Sequence, residues 1–537
     1  MGLRVAWDWI RSRGGPTQPE GDAVTRVSFA ALPARDVSTT MTAAGIDGSA
    51  SSVAAVGAAM LAVAHVAICI AALGVIPGNR KPSTGMAWLI LILAVPFLGF
   101  IAFLLFGSTH VEKRRHDKQR HVNDLVRQRT AAIPPGNATS GWSTAHTSAA
   151  ILNRNLGTLP VVAGNTVELH ADYVGYVDAM TAAIDEAQHF VHVEFYISAW
   201  DATTSGFFEA LVRASKRGVT VRILFDHLGS RSGSGYRDML ARLDDAGIAW
   251  RPMLVIDPVR GKMRRPDLRN HRKILVVDNT TAFMGSQNLI EATYGKPKNE
   301  REGRKYVELN VRVRGGVVPH LNLVFATDWY SETDEILAEE LQPVPDLYVD
   351  TTTERVACQV LPSGPGFATE NNLRLFTTLI YSARDRISIT SPYFVPDESL
   401  LYAITTAAQR GVDVELFVSA EADQFMVGHA QCSYYEELLD AGVRIFLYPA
   451  PWILHSKHFS IDDDVAVIGS SNMDMRSFGL NYEVVMMLVG GDVVARMRAA
   501  EDNYRSLSRL LTADEWRTRS RATRFVDNLM RLTAAIQ

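Results

Sequence analysis

His271-Arg272-Lys273-Ile274-Leu275-Val276-Val277-Asp278 is followed by Gly285-Ser286-Gln287-Asn288, and His455-Ser456-Lys457-His458-Phe459-Ser460-Ile461-Asp462 by Gly469-Ser470-Ser471-Asn472. Both stretches obey H-x-K-x-x-x-x-D and then G-S-x-N, and every shared residue recurs 184 positions later. A single His-x-Lys on a strand is ordinary surface chemistry. Two such motifs at one fixed offset in matching contexts are an internal repeat. The apolar run between Lys and Asp predicts a strand with the Asp at the turn that ends it. Residues two apart on a strand share a face, so each His and Lys are expected to project together into one site. The G-S-x-N on the return strand offers small residues, a hydroxyl and an amide with which to hold a phosphate oxygen.

Outward from the motifs, the same order of elements occurs twice. A helical stretch (residues 176–187) leads into FVHVEFYIS, a helix ending at Gly218 and the strand VTVRILFD. In the second pass residues 375–383 lead into ISITSPYFV, a helix ending at Gly411 and VDVELFVS. LDDAGIAWR (243–251) and LLDAGVRIF (438–446) correspond as well. Helix, glycine cap and β-branched strand together predict parallel α/β structure.

The chain has 537 residues, of which 47% are hydrophobic and 21% charged, which excludes a disordered polymer or a small disulfide scaffold. With 54 basic and 58 acidic residues the net charge is −4, so no global positive field marks a nucleic-acid binder. Its three cysteines, Cys69, Cys358 and Cys432, are far apart and in no C-x-x-C pairing, which fits a catalytic region in a reducing compartment. No ligand cluster of metal spacing lies near either motif, so neither metal nor cofactor is expected.

Residues 53–76 and 86–106 contain no formal charge, and each reaches the roughly 20 residues needed to cross a bilayer core. A short polar turn with Arg80 and Lys81 joins them, predicting an N-terminal transmembrane helical hairpin. Lys113, Arg114, Arg115, Lys118 and Arg120 follow the second run, and cationic flanks stay cytoplasmic, which puts the C-terminal region inside the cell. The expected order is a flexible segment (1–52), the hairpin (53–108) and a basic juxtamembrane segment and linker (109–160), Ser/Thr/Ala-rich over 136–150. Two α/β repeats (161–341 and 354–537) then flank a linker (342–353), the second ending in a basic helix.

This pattern fits phosphodiester exchange. One imidazole can attack phosphorus while a second protonates the departing alkoxide, and two lysines stabilise charge on the phosphoryl oxygens. The paired motifs resemble the phospholipase D superfamily and, within it, most closely the bacterial cardiolipin synthases. The resemblance covers roughly residues 80–516, including DLRNHRKILVVD, the SGP at 363–365 and HSKHFSIDDDVAVIGSSNMDMRSFGLNYE. It implies one pseudo-twofold site between two phospholipase D-like α/β halves, a phosphohistidine intermediate, and conversion of two phosphatidylglycerols into cardiolipin and glycerol. It implies catalytic His271, Lys273, Asp278, His455, Lys457 and Asp462, and phosphate contacts from Ser286, Asn288, Ser470 and Asn472. The family's acidic residue after each G-S-x-N falls on Glu483 and Glu308. The charged segment YGKPKNEREGRKYVELN (294–310) departs from the family's phrase there. Partners are then membrane phospholipids and the bilayer of a bacterial plasma membrane, not nucleic acid, with homo-oligomerisation left open.

Other residues invite two readings. Arg260, Lys262, Arg264, Arg265 and Arg269 form either a funnel for anionic headgroups or a solvated loop. Arg476 either binds phosphate or makes a structural ion pair, and His458, three residues past His455, faces away and packs. The arginine-rich tail from Trp516 reads as a packing helix, with a membrane-lying helix as the second option. The rival activities are a hydrolysing phospholipase D, transfer to another alcohol, a nuclease of the same fold and a silent membrane scaffold. Sequence symmetry does not assign the nucleophile; the family resemblance leans to His271.

Overall fold

The computed structural model describes residues 47–78, 82–107, 113–130, 133, 139, 141–231, 233, 235–256, 265, 267–337, 339–340 and 356–534. The start of the N-terminal segment, the Arg80–Lys81 turn, the linker at 342–353 and the loop cations Arg260, Lys262 and Arg264 lie outside these residues. Residues 1–70 and 71–537 form two separate compact units.

Helix α1 (Asp47–Val75) contains the apolar stretch Ala55–Val75, the one helix among the described residues long and apolar enough to cross a membrane. The second apolar run does not form the single helix expected over 86–106. It is broken into α2 (Pro82–Ala94) and α3 (Pro96–Phe106), with Val95 between them at φ −137° and ψ 76°. Proline bars the preceding residue from the helical region and lacks the N–H that would continue the ladder, so the break falls where Pro96 stands.

The expected linker is also largely helical. In α4 (Lys113–Thr130), Arg115 pairs with Glu332 at 2.5 Å and Asp328 at 3.6 Å, and Lys118 pairs with Asp334 at 2.7 Å. Two of the five flanking cations are thus spent on ion pairs with the catalytic region. In α5 (Thr144–Gly157), Ser143 accepts from the His146 N–H as N-cap, and Ala149, Ala150 and Asn153 are buried.

The repeats form one mixed sheet of sixteen strands among the described residues. The first half supplies β1 (Val162–His170), β2 (Phe190–Phe195), β3 (Thr220–Asp226), β4 (Ala249–Met253), β5 (Arg269–Asn270), β6 (Lys273–Val277) and β7 (Thr281–Gly285). It also supplies β8 (Tyr306–Val307), outside the main sheet, and β9 (Asn310–Arg314). The second half repeats the set as β10 (Val356–Ser363), β11 (Arg386–Thr390), β12 (Phe394–Val395), β13 (Asp413–Ser419), β14 (Arg444–Tyr448) and β15 (Ile453–Leu454). It continues with β16 (His458–Ile461), β17 (Val465–Gly469), β18 (Met473–Asp474), β19 (Asn481–Val489) and the edge strand β20 (Arg509–Leu511); β12, β15 and β18, like β8, lie outside the main sheet.

From the centre outward one side runs β1-β9-β7-β6-β2-β3-β4 and the other β10-β19-β17-β16-β11-β13-β14. The two orders mirror each other about the antiparallel β1–β10 pair. The helix-linked parallel pairing expected holds over β2-β3-β4 and β11-β13-β14, whereas the strands that follow each motif's His and Lys pair with their sheet neighbours antiparallel. The His-Lys strand and the G-S-x-N strand follow each other across a tight turn, which permits only antiparallel pairing, whereas the helix-linked strands return parallel.

Successive residues of one strand enter different cores. Val191, Val193, Leu275 and Val277 pack under helices Tyr173–Glu186 and Ser205–Lys216. Ile274, Val276 and Met284 pack instead with Val318 and Leu321 of helix Val318–Thr333 and with Val484, Met486 and Met497 of the second half. That second core draws on both repeats, so they fold as one body. Helices on both faces explain why β2, β6 and β19 are buried along their whole length and read as nearly continuous apolar runs.

Candidate active site

The glycines of G-S-x-N are set by close strand approach. A Cβ on Gly285 would lie 2.4 Å from Asn310 Oδ1, and one on Gly469 would lie 2.3 Å from the Val484 carbonyl oxygen. Only glycine lets each return strand close against the next one, β9 just after Glu308 in the first half and β19 with Glu483 in the second.

Each histidine lies just outside its strand, not on it. β5, ending at Asn270, pairs in parallel with the start of β19, and the His271 N–H donates to the Tyr482 carbonyl at 2.9 Å. β15, ending at Leu454, pairs in parallel with β8, and the His455 N–H donates to the Val307 carbonyl at 2.7 Å. The pairing crosses the halves, so the next residues, His271 with Glu483 and His455 with Glu308, arrive side by side from opposite repeats. His271 Nδ1 lies 3.0 Å from both Glu483 carboxylate oxygens and 3.0 Å from the Ser470 carbonyl. His455 Nδ1 lies 2.7 Å from Glu308 Oε1. These acceptors hold the proton on Nδ1 and leave Nε2 of each neutral ring with its lone pair.

The lysines complete the set. Lys273 Nζ donates to the His271 carbonyl and Lys457 Nζ to the His455 carbonyl, each at 2.6 Å. Burial pushes Lys457 down to about 8 against the pull of Glu308 and Glu483. Burial and the neighbouring Lys457 hold Lys273 well below the ordinary lysine value. Burial also lowers both histidines, His271 to about 4, with the glutamates opposing. Burial raises the glutamates, yet His271 with Lys273 and Ser470, and His455 with Lys457 and Ser286, bring them below the usual range. The resting site therefore holds neutral imidazoles beside ionised carboxylates.

Both histidines open onto one cleft of about 700 Å³, lined also by Tyr196, Tyr393, Asn288 and Asn472. The volume is ordinary for a small-ligand site. Asn288 donates to the Tyr294 hydroxyl at 2.9 Å, and that hydroxyl lies 3.3 Å from Glu308 Oε1. Asn472 has a buried Oδ1 with no hydrogen-bond partner.

Ser286 and Ser470 do not line the cleft. Ser470 Oγ donates to Glu483 Oε2 at 2.5 Å and Ser286 Oγ to the Leu309 carbonyl at 3.1 Å, so both hydroxyls brace the segments that carry the glutamates. Asp278 and Asp462 are likewise not brought to the histidines. Asp278 accepts from the backbone N–H groups of Gln188, His189 and Phe190 at 2.8–2.9 Å, and Asp462 from those of Arg384, Asp385 and Arg386 at 2.9–3.1 Å. Five steps along extended chain carry each Asp about 16 Å past its Lys, where it caps the start of the neighbouring strand.

Of the two described cations of the basic loop, Arg269 lines the cleft and Arg265 does not. Arg265 pairs with Asp267 at 2.5 Å and buried Arg269 with Asp226 at 3.2 Å. Arg476 lines the cleft and donates to the Asp267 carbonyl at 2.6 Å. His458 is buried beside Tyr504, 6.0 Å between ring centroids.

Sequence reading missed the tyrosines and an ionic network. Tyr196 lies 5.1 Å from the His271 ring and Tyr306 5.3 Å from the His455 ring, centroid to centroid. The tyrosines in FYIS and PYFV follow corresponding strands, a repeated signal that could have flagged Tyr196 and Tyr393. Arg272 is buried, pairs with Asp328 and donates to the Glu483 carbonyl at 3.1 Å. Arg115 of α4 shares Asp328 and lies 4.7 Å over the Tyr482 ring. The second half carries the neutral Ser456 in place of Arg272.

The protonation pattern fixes a pH profile. kcat/KM reports the free enzyme, in which the lysine pair is cationic below its lowered pKa and loses charge as pH rises. We expect kcat/KM to decline from about pH 8 or below, while kcat holds to higher pH because bound phosphate restores the lysine charge. Coincident alkaline limbs would disprove this assignment.

A family model described as "Cardiolipin synthase, PLD-like domain" matches residues 180–329 and 376–503, and one described as "Phospholipase_D-nuclease N-terminal" matches 66–108. The chain is 33% identical over 448 residues to Cardiolipin synthase A of Yersinia pseudotuberculosis serotype O:1b (strain IP 31758), covering 82% of this chain and 90% of that one. The same figures hold for Cardiolipin synthase A of Yersinia pestis bv. Antiqua (strain Angola). The crystal structure of phosphatidylserine synthase from Haemophilus influenzae Rd KW20 superposes with a TM-score of 0.53 at 14% identity, over 73% of this chain and 100% of that one, and so shares the fold. On the crossed histidine–glutamate site, the matching family model and these relatives, the chain belongs to the cardiolipin synthases with phospholipase D-like domains.

Proposed function

We propose that this protein is a cardiolipin synthase, a phosphatidyltransferase that joins two phosphatidylglycerols and releases glycerol. The observation that carries the reading is the pair of crossed His–Glu couples, each with a buried lysine, opening onto one cleft. His271 Nε2 attacks the phosphorus of the first lipid and the phosphorus–oxygen bond to glycerol breaks. His455, neutral at rest, takes a proton from solvent as the anionic phosphodiester binds beside it, and the departing alkoxide takes that proton from its Nε2. A hydroxyl of the second lipid then gives its proton to His455, its oxygen attacks phosphorus and the phosphorus–nitrogen bond to His271 breaks. His271 is assigned the attack because three acceptor oxygens hold its Nδ1 proton and its lowered pKa keeps it a free base at neutral pH. The lysines meet the charge that develops on the phosphoryl oxygens.

The apolar α1, with α2 and α3, forms a hairpin that anchors the enzyme in the bacterial plasma membrane with the catalytic body on the cytoplasmic side. Support comes from hydropathy and from the cations of α4, which act during insertion, before their ion pairs form. The test is the purified full chain with phosphatidylglycerol alone, followed by lipid mass spectrometry. Cardiolipin and glycerol in equal amounts are expected. Phosphatidic acid as the main product would replace transfer with hydrolysis.

A further inference from the structure

The helix Arg521–Arg531 packs Met530 against the core but leaves other apolar side chains outside. Its one buried side chain is the carboxylate Asp527, 2% exposed, 2.6 Å from His429 Nδ1 and paired with Arg519. Phe525 is 68% exposed, Leu529 45% and, just past its end, Leu532 82%. Positions i, i+4 and i+7 share one side of a helix, so these three form an outward apolar stripe opposite Asp527. The neighbouring helix Phe425–Cys432, which carries His429, exposes Phe425 at 68% and Met426 at 41%.

Both elements border the catalytic cleft, through Gln424 and Val427 on one and Ala534, beyond the end of the other. Asp527 is the only carboxylate in residues 521–534 and it is turned inward; Arg521 and Arg524 flank the stripe along the helix, while Arg531 lies over the Tyr434 ring and 4.0 Å from Glu437. An apolar stripe flanked by cations at the mouth of a lipid-handling cleft complements an anionic bilayer surface.

We propose that Phe425, Met426, Phe525, Leu529 and Leu532 insert into the surface of an anionic bilayer and hold the cleft mouth against it. The inference rests on the phosphatidyl-transfer reading for its purpose, but its first test does not. In the full chain reconstituted into phosphatidylglycerol vesicles, Phe525→Trp should add fluorescence that acyl-chain-brominated lipid quenches beyond the quenching of the parent protein. This readout needs no turnover, so it stands or falls apart from the assigned reaction.

The second test is the triple variant Phe525→Ser, Leu529→Ser, Leu532→Ser. Its apparent KM for vesicle phosphatidylglycerol should rise about tenfold, with kcat and activity on monomeric short-chain phosphatidylglycerol unchanged. Absence of the added quenching, an unchanged KM, or equal losses on both substrates would overturn the proposal. So would an unquenched Phe525→Trp together with a triple variant that dissociates from dimer to monomer, since the stripe would then be an interface between copies.

Discussion

His271→Ala and His455→Ala should each lose about 10³-fold or more in kcat, and the double variant should be scarcely worse than either. Both histidines line one cleft, and on the proposed mechanism one imidazole cannot form the phosphohistidine productively without the other to protonate the leaving oxygen, so the two would act as one device. Radiolabelled lipid with a rapid acid-free quench should leave phosphate on one histidine. Replacing His271 should abolish the label, whereas His455→Ala should mainly slow its appearance and turnover. If either single variant kept near-parental cardiolipin formation, the motifs would not share a reaction, and the repeat would be only architectural.

The crossed glutamates yield the second large effect. Glu483→Gln should cost about 10²–10⁴-fold in kcat, as removing the carboxylate behind a catalytic histidine does in the serine proteases. An amide keeps the shape but can present its NH2 to Nδ1 of His271, which moves the ring proton to Nε2 and blocks the attacking lone pair. It also removes a negative charge that supports both lysines. Glu308→Gln should be comparably damaging through His455, on the opposite half. The difference lies in the step. Glu483→Gln should suppress formation of the labelled intermediate, and Glu308→Gln should slow departure of glycerol and transfer to the acceptor, as rapid-quench kinetics would read. A Glu483→Gln enzyme with more than a tenth of parental kcat would remove the glutamate from the mechanism.

The parts of this protein that sequence alone determined are those governed by local pattern. The unbroken aliphatic run from Ile274 to Val277 must lie in a sheet covered on both faces, and the glycine-ended helices must return their strands in parallel. The 184-residue offset fixed two equivalent halves. Even the end of the expected second membrane helix at Pro96 follows from one residue's missing N–H, although hydropathy alone hides it. Residue type read without strand length misled: Asp278, Asp462, Ser286 and Ser470 are chemically able to join a catalytic site but hold backbone and carboxylates instead.

Only the tertiary structure decided which carboxylate serves which histidine. Twenty residues separate Asn288 from Glu308 but eleven separate Asn472 from Glu483, so the acidic residues break the offset that the motifs keep. Sequence proximity would have matched each glutamate to its own half's histidine. The pairing is instead made by two short parallel ladders, β5 on β19 and β15 on β8, that join chain segments 212 and 147 residues apart at the histidine–glutamate pairs. A two-residue ladder has no sequence signature of its own. It forms because the mirrored sheet brings those chain ends together, where burial leaves backbone N–H and C=O groups no water to bind and obliges them to bind each other.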